Sequence, residues 1–163
     1  MYKRQVFGLG VLESLIPRLV AEWTNMKTST TLGSFWAHEW TKHGTCATGI
    51  NSLGTEYGFF STVLDLFEKE MNFGPVIESH GIKASHSVTY QLADFNQAFM
   101  DKFGVKPFVE CLYSEEKGQV LSQISVCLQK DFAVMDCPED VFTRAGCYDS
   151  QPIHYIPSIY SSN

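Results

Sequence analysis

The sequence contains no run of eighteen or more apolar residues, no Asn-x-Ser/Thr sequon and no Cys-x-x-Cys pair. The first absence leaves nothing long enough to cross a bilayer as a helix, so no membrane partner is expected. The second removes the acceptor for N-glycosylation. The third removes the usual framework of a structural zinc module. Cations are scarce as well: 12 Lys and Arg stand against 18 Asp and Glu, a net charge of -6. A broad basic face for duplex nucleic acid is therefore not expected, although one small cationic cleft is compatible with any net charge. The opening MYKRQVFGLGVLE is basic, but its apolar stretch is short and is cut by Glu13 and Pro17, which makes a poor signal peptide.

What remains is a globular chain. Its 163 residues are 44% hydrophobic and 13% aromatic, enough for a real core. Of five cysteines, Cys111, Cys127, Cys137 and Cys147 fall in the last third and Cys46 stands alone. Two disulfides in that last third imply an oxidising compartment. The plainer alternative is five buried free thiols in a cytosolic protein. Either way, an odd count leaves one thiol without a mate.

Hydrophobic spacing divides the chain into helices first and strands later. Val11 to Trp23 has helical periodicity through Leu12, Leu15, Ile16, Leu19 and Val20, with a start near Pro17 as the alternative. Residues 26–33 are Thr/Ser-rich and read as a loop, after which Ser34 is expected to cap a helix. Thr55 to Met71 and Gln91 to Phe103 are further helices, the latter stopped by Gly104. Phe108 to Tyr113, Val120 to Leu128 and Phe132 to Met135 read as strands, and the tail from Gln151 as extended chain. With no repeat and no linker, residues 1–163 are expected to form a single α+β domain, its helices packed on an antiparallel sheet.

The densest chemistry lies in FWAHEWTKHGTC, Phe35 to Cys46. At about 100° per residue, His38, Glu39, Lys42 and His43 share an arc of roughly 140°, while Trp36 and Trp40 lean to the buried flank. A zincin needs His-Glu-x-x-His, and here the position four after His38 is Lys42, whose ammonium repels a cation. No metal and no cofactor are expected on that count. Acid-base chemistry fits better. Imidazole titrates near neutrality and moves protons to and from hydroxyl oxygens. Glu39 lies one turn before His43 and could orient it. Lys42 and a protonated His38 suit an anionic substrate such as a phosphoryl group. The competing explanation is a solvated helix face whose charges pair at i, i+4.

FWAHEWTKHGTC resembles the second active-site segment of the ribonuclease T2 family, Phe-Trp-x-His-Glu-Trp-x-Lys-His-Gly-Thr-Cys, at every fixed position. LESLIPRLVAEW, YGFFSTVLDLFEKEMNF, SVTYQLADFNQAFMDKFGVKPFVECL and QISVCLQKDFAVMDCP resemble the family's flanking helices, strand and hairpin more loosely, so the likeness spans residues 12–157. The resemblance implies metal-independent cleavage of single-stranded RNA by attack of the ribose 2′-hydroxyl, through a 2′,3′-cyclic phosphate. It implies His43 as a catalytic histidine, Glu39 as its assisting acid, and His38 and Lys42 as holders of the substrate phosphate.

The resemblance also implies the disulfides Cys111–Cys147 and Cys127–Cys137, with Cys46 unpaired because its family partner lies upstream. The family's first segment, His-Gly-Leu-Trp-Pro, supplies the second catalytic histidine. The 34 residues before Phe35 hold no histidine and nothing like that segment. The expectation is therefore an N-terminally incomplete T2-like domain, impaired or inactive by itself. His80, His86 and His154 are expected to be surface or tail residues rather than substitutes. The alternative function is an inactive relic that binds RNA or nucleotide phosphate. Expected partners are single-stranded RNA or nucleotides, with the chain a monomer. The family implies secretion or an endolysosomal or vacuolar lumen.

Overall fold

The computed structural model describes residues 7–25, 31–138 and 146–157. Most of the loop expected at 26–33, and the ends of the chain, lie outside them. The chain divides into two compact units, residues 1–72 and 73–163.

The first unit is helical. A 3₁₀ stretch, Leu9–Leu15, runs into α1, Ile16–Glu22, with Pro17 in its first turn. That is where proline's missing N–H costs nothing, so the expected start near Pro17 holds. α2 spans Leu32–Glu39 and is capped by Thr31, whose Oγ1 accepts the Ser34 N–H at 3.2 Å. The cap is thus Thr31 rather than Ser34, because the helix begins earlier than the apolar pattern shows. α2 continues as a π turn, Trp40–Gly44, and a short α3, Thr45–Ala47. α4 covers Glu56–Lys69, with Thr55 as its cap, an acid in the first turn and a lysine in the last. Leu12, Leu19, Trp36, Trp40, Phe60 and Leu64 are almost wholly buried and form this unit's core. Each such side chain contributes about 1.5–3 kcal/mol. Arg18 ties α1 to α4 by donating to both Glu68 carboxylate oxygens (2.8 and 2.7 Å) and to Asp65 (2.7 Å).

The second unit sets two helices on a sheet. α5, Phe73–Ser79, was not expected from the sequence. α6, Leu92–Phe103, starts with a Gln91–Asp94 capping box and ends at Gly104, whose φ of 73° is the left-handed cap that glycine takes without strain. The strands are β1 Thr89–Tyr90, β2 Phe108–Ser114, β3 Gly118–Ser125, β4 Cys127–Leu128, β5 Val134–Met135 and β6 Ile153–His154. Four of them form a sheet in the order β1-β6-β3-β2, and β4 pairs with β5. Ile77 and Ile82, with Phe95 and Phe99 of α6, pack on Val109, Cys147 and Ile153 in the core.

The α+β expectation stands, but the sheet is mixed: β3 and β6 run parallel. Gln119, buried in β3, accepts the Tyr148 N–H and donates to the carbonyls of Tyr148 (3.1 Å) and Gln151 (3.0 Å). Those bonds hold the returning chain so that Ile153 and His154 lie beside β3. No local pattern announces a pairing between residues that far apart. Disulfides Cys111–Cys147 and Cys127–Cys137 are formed, and Cys46 is free and exposed.

Candidate active site

The site is built on α2 and its π turn. Two tryptophans anchor the inner face. Trp36 is buried and its Nε1–H donates to the Trp23 carbonyl at 3.0 Å, while Trp40 packs against Phe59 with ring centroids 5.7 Å apart. The Trp40 indole N–H is buried with no acceptor among the described residues. Such a group costs about 1–3 kcal/mol, which the burial of the ring offsets.

Gly44 closes the turn directly against Trp40. A Cβ there would overlap the Trp40 ring, lying 2.7 Å from Cζ3, and would come within 3.2 Å of Phe59. Glycine is needed for this close approach, not for an unusual backbone angle. Sequence reasoning missed both the π turn and this role of Gly44. The available signal was that glycine is a fixed position of the matched segment, which by itself specifies no turn.

The π turn changes the geometry of the outer face. Its hydrogen bonds reach five residues back instead of four, which widens the helix so that residues five apart draw together. His38 and His43, separated by about 140° on a regular α-helix, stand here with ring centroids 6.4 Å apart at an interplanar angle of 72°. One donor atom from each of His38, Glu39 and His43 lies within 4.8 Å of the others. His38, Lys42 and His43 are exposed and Glu39 is partly buried.

Among the described residues, none of the four side chains enters a hydrogen bond or an ion pair. The orienting bond expected from Glu39 to His43 is therefore not made, although the two groups are neighbours. The i, i+4 pairing that would make this an ordinary solvated face is not made either. The result is a histidine pair, a carboxylate and an ammonium presented together with their bonding capacity unspent. Such a set can hold an anion and pass a proton to or from it.

His80, His86 and His154 belong to the second unit. His80 is engaged at Nε2 by Asp101 (3.0 Å) and at Nδ1 by the Val76 carbonyl (3.2 Å). His154 lies in β6 with its Nδ1 buried and unpartnered among the described residues.

The profile of the Ribonuclease T2 family matches residues 3–137. The chain belongs to the ribonuclease T2 family. Ribonuclease T2 of Sus scrofa is 39% identical over 155 residues, covering 93% of this chain and 75% of that protein. The crystal structure of human RNase T2 superposes with a TM-score of 0.85 at 33% identity, over 96% of this chain and 78% of the human one. RNase NT, solved in complex with 5′-AMP, gives a TM-score of 0.80 at 25% identity, over 94% of this chain and 72% of that one. The T2-family chain thus carries the fold of solved ribonucleases, and His38, Glu39, Lys42 and His43 fall inside the matched region.

Proposed function

We propose that this T2-family chain grips a phosphodiester of single-stranded RNA through Lys42 and His38, and that His43, assisted by Glu39, transfers a proton in a metal-independent transphosphorylation. The observation that carries this reading is that His38, Lys42 and His43 are exposed and Glu39 partly so, all four without a hydrogen bond or ion pair among the described residues, over a buried tryptophan pair. The attacking 2′-oxygen and the leaving 5′-oxygen lie roughly opposite each other at phosphorus. One group must therefore accept a proton on one side while another donates on the far side. His43 fills one of these positions, and the 163 residues offer no second histidine within the cluster besides His38.

Loss of one general acid or base commonly costs about 10²–10⁴-fold in rate. The chain expressed by itself is therefore expected to give little or no band in an RNA-containing activity gel. A strong band abolished by His43→Ala would overturn that expectation while keeping the assignment of His43. The second reading, a non-catalytic binder of RNA or nucleotide phosphate, uses the same four residues. It predicts 5′-AMP binding that weakens on Lys42→Gln and falls with salt, with no cleavage under any condition. Two disulfides favour an oxidising lumen as the working compartment.

A further inference from the structure

Away from the histidine cluster, the three most exposed large apolar side chains among the described residues are Tyr113 (76%), Leu112 (65%) and Tyr148 (59%). Tyr148 is distant from the other two in sequence, yet all three belong to one corner of the second unit. Leu112 and Tyr113 lie near the end of β2, the last strand in the sheet order β1-β6-β3-β2. Cys111, next to Leu112, is bridged to Cys147, next to Tyr148, with Cα atoms 5.0 Å apart. Tyr113 stands opposite Gln119 in the β2–β3 register, and direct cross-strand partners share a face. The Gln119 side chain in turn accepts the Tyr148 N–H and donates to the Tyr148 carbonyl at 3.1 Å. A disulfide and a buried amide therefore hold these apolar groups in place while they face water.

Exposed tyrosines gathered on a fixed backbone are anchors for binding, because large rings bring contact area at little cost in ordering. The rim decides the sign of the partner's charge. Glu115 and Glu116 follow Tyr113 in the turn between β2 and β3, Asp149 follows Tyr148, and all three are exposed. Lys117 is the one cation of this turn, and its ammonium lies 3.5 Å from the Glu116 carboxylate. Neither Glu115 nor Asp149 has an ion-pair partner among the described residues. Aromatic faces attract cations as carboxylates do, so the apolar and the charged parts of this corner select the same ligand. A nucleic-acid strand could stack on the rings but would meet like charge at the rim. We propose that this corner docks a lysine- or arginine-bearing segment of a partner protein, its cationic heads set over the two tyrosine rings and among Glu115, Glu116 and Asp149. The proposal is independent of the phosphate-binding reading above.

The test is fluorescence anisotropy of a labelled Arg-Val-Arg-Val-Arg-Val peptide titrated with the full, oxidised chain at about 0.15 M salt, where distant charges are screened. Saturable binding is expected, weakened about fivefold or more by Tyr113→Ala and by Tyr148→Ala. Tyr113→Phe, which keeps the ring, should retain it. Glu115→Gln together with Glu116→Gln should weaken binding about threefold to tenfold. Glu13→Gln together with Glu22→Gln makes the same change in net charge on exposed positions of the first unit, and should shift affinity by less than about twofold.

No saturable binding overturns the proposal. Equal weakening by the two double variants does so as well, since it would show attraction by net charge alone. Tighter binding of a labelled oligodeoxyadenylate through the same tyrosines would make the corner a nucleic-acid platform instead. Sedimentation that finds a dimer, dissociated by Tyr113→Ala, would assign the face to a second copy of the chain and overturn the cationic partner.

Discussion

At the scale of single residues, two buried positions do more than fill space. Gly44 lets the π turn close onto Trp40 and Phe59, two rings held inside the first core. Neither ring can yield far in a close-packed interior, and overpacking of this kind costs about 1–3 kcal/mol. Gly44→Ala is expected to lower the unfolding free energy measured by urea titration by that amount and to move the His43 ring resonances. An unchanged free energy would show that the turn relaxes freely.

Glu56 is the other position. Its side chain is buried and both carboxylate oxygens accept the Gly8 N–H, at 3.2 and 3.1 Å. Burial raises its pKa, and the bond from Gly8 offsets that only in part. A carboxyl raised in the folded state contributes stability below its ordinary value and loses it as pH climbs through the raised one. Glu56→Gln mimics the protonated form. It is expected to raise the thermal midpoint at pH 7 and to leave it nearly unchanged near pH 4, as thermal melts at the two pH values would show. Destabilisation at pH 7 would mean that the charge, not the shape, holds Gly8.

Among elements, the join between α5 and α6 depends on pH. His80, just past the end of α5, meets Asp101 of α6, and Asp101 also accepts from Gln97 at 2.7 Å. The bond to Asp101 raises the His80 pKa, the Val76 carbonyl adds to it, and the Asp101 pKa falls in return. The histidine's contribution is complete below its ordinary value and fades as pH rises through the raised one. The aspartate's is present above its ordinary value and fades as pH falls through the lowered one. The clamp is thus strongest in mildly acidic solution. In Asp101→Asn, a proton NMR titration should find the His80 midpoint moved down toward that of a free histidine. An unmoved midpoint would show that the pair is not formed in solution.

The helices themselves were legible where apolar periodicity was long, as in α4 and α6. α5 was missed because seven residues beginning Phe-Gly-Pro carry less than two turns of pattern. The cap of α2 was misplaced for a related reason: Leu32 and Gly33 precede the strong motif and look like loop.

For the whole molecule, the disulfides and the free thiol are the sharpest check. Both bridges lie in the second unit, closing separations of 36 and 10 residues. Each is expected to contribute about 2–4 kcal/mol by the chain-entropy account. Reduction should lower the far-UV circular dichroism midpoint in urea. Thiol labelling of the folded, oxidised chain should modify one cysteine, Cys46, and labelling after reduction and unfolding should modify five. Two or more reactive thiols before reduction would contradict the pairing.

The sequence by itself determined the family, the helical face bearing His38, Glu39, Lys42 and His43, and the buried role of Trp36 and Trp40. Those follow from residue identity and from the repeat of a helix, which are local properties. Only the tertiary structure decided the π turn, the parallel pairing of β6 with β3 and, among the described residues, the unpaired state of the four site residues. The turn forms because Gly44 seats against rings whose burial comes from α4 as well as from its own helix. The parallel pairing forms because Gln119 reaches three backbone groups some thirty residues away. Contacts of that range are set by which surfaces meet, and a one-dimensional pattern holds no record of them.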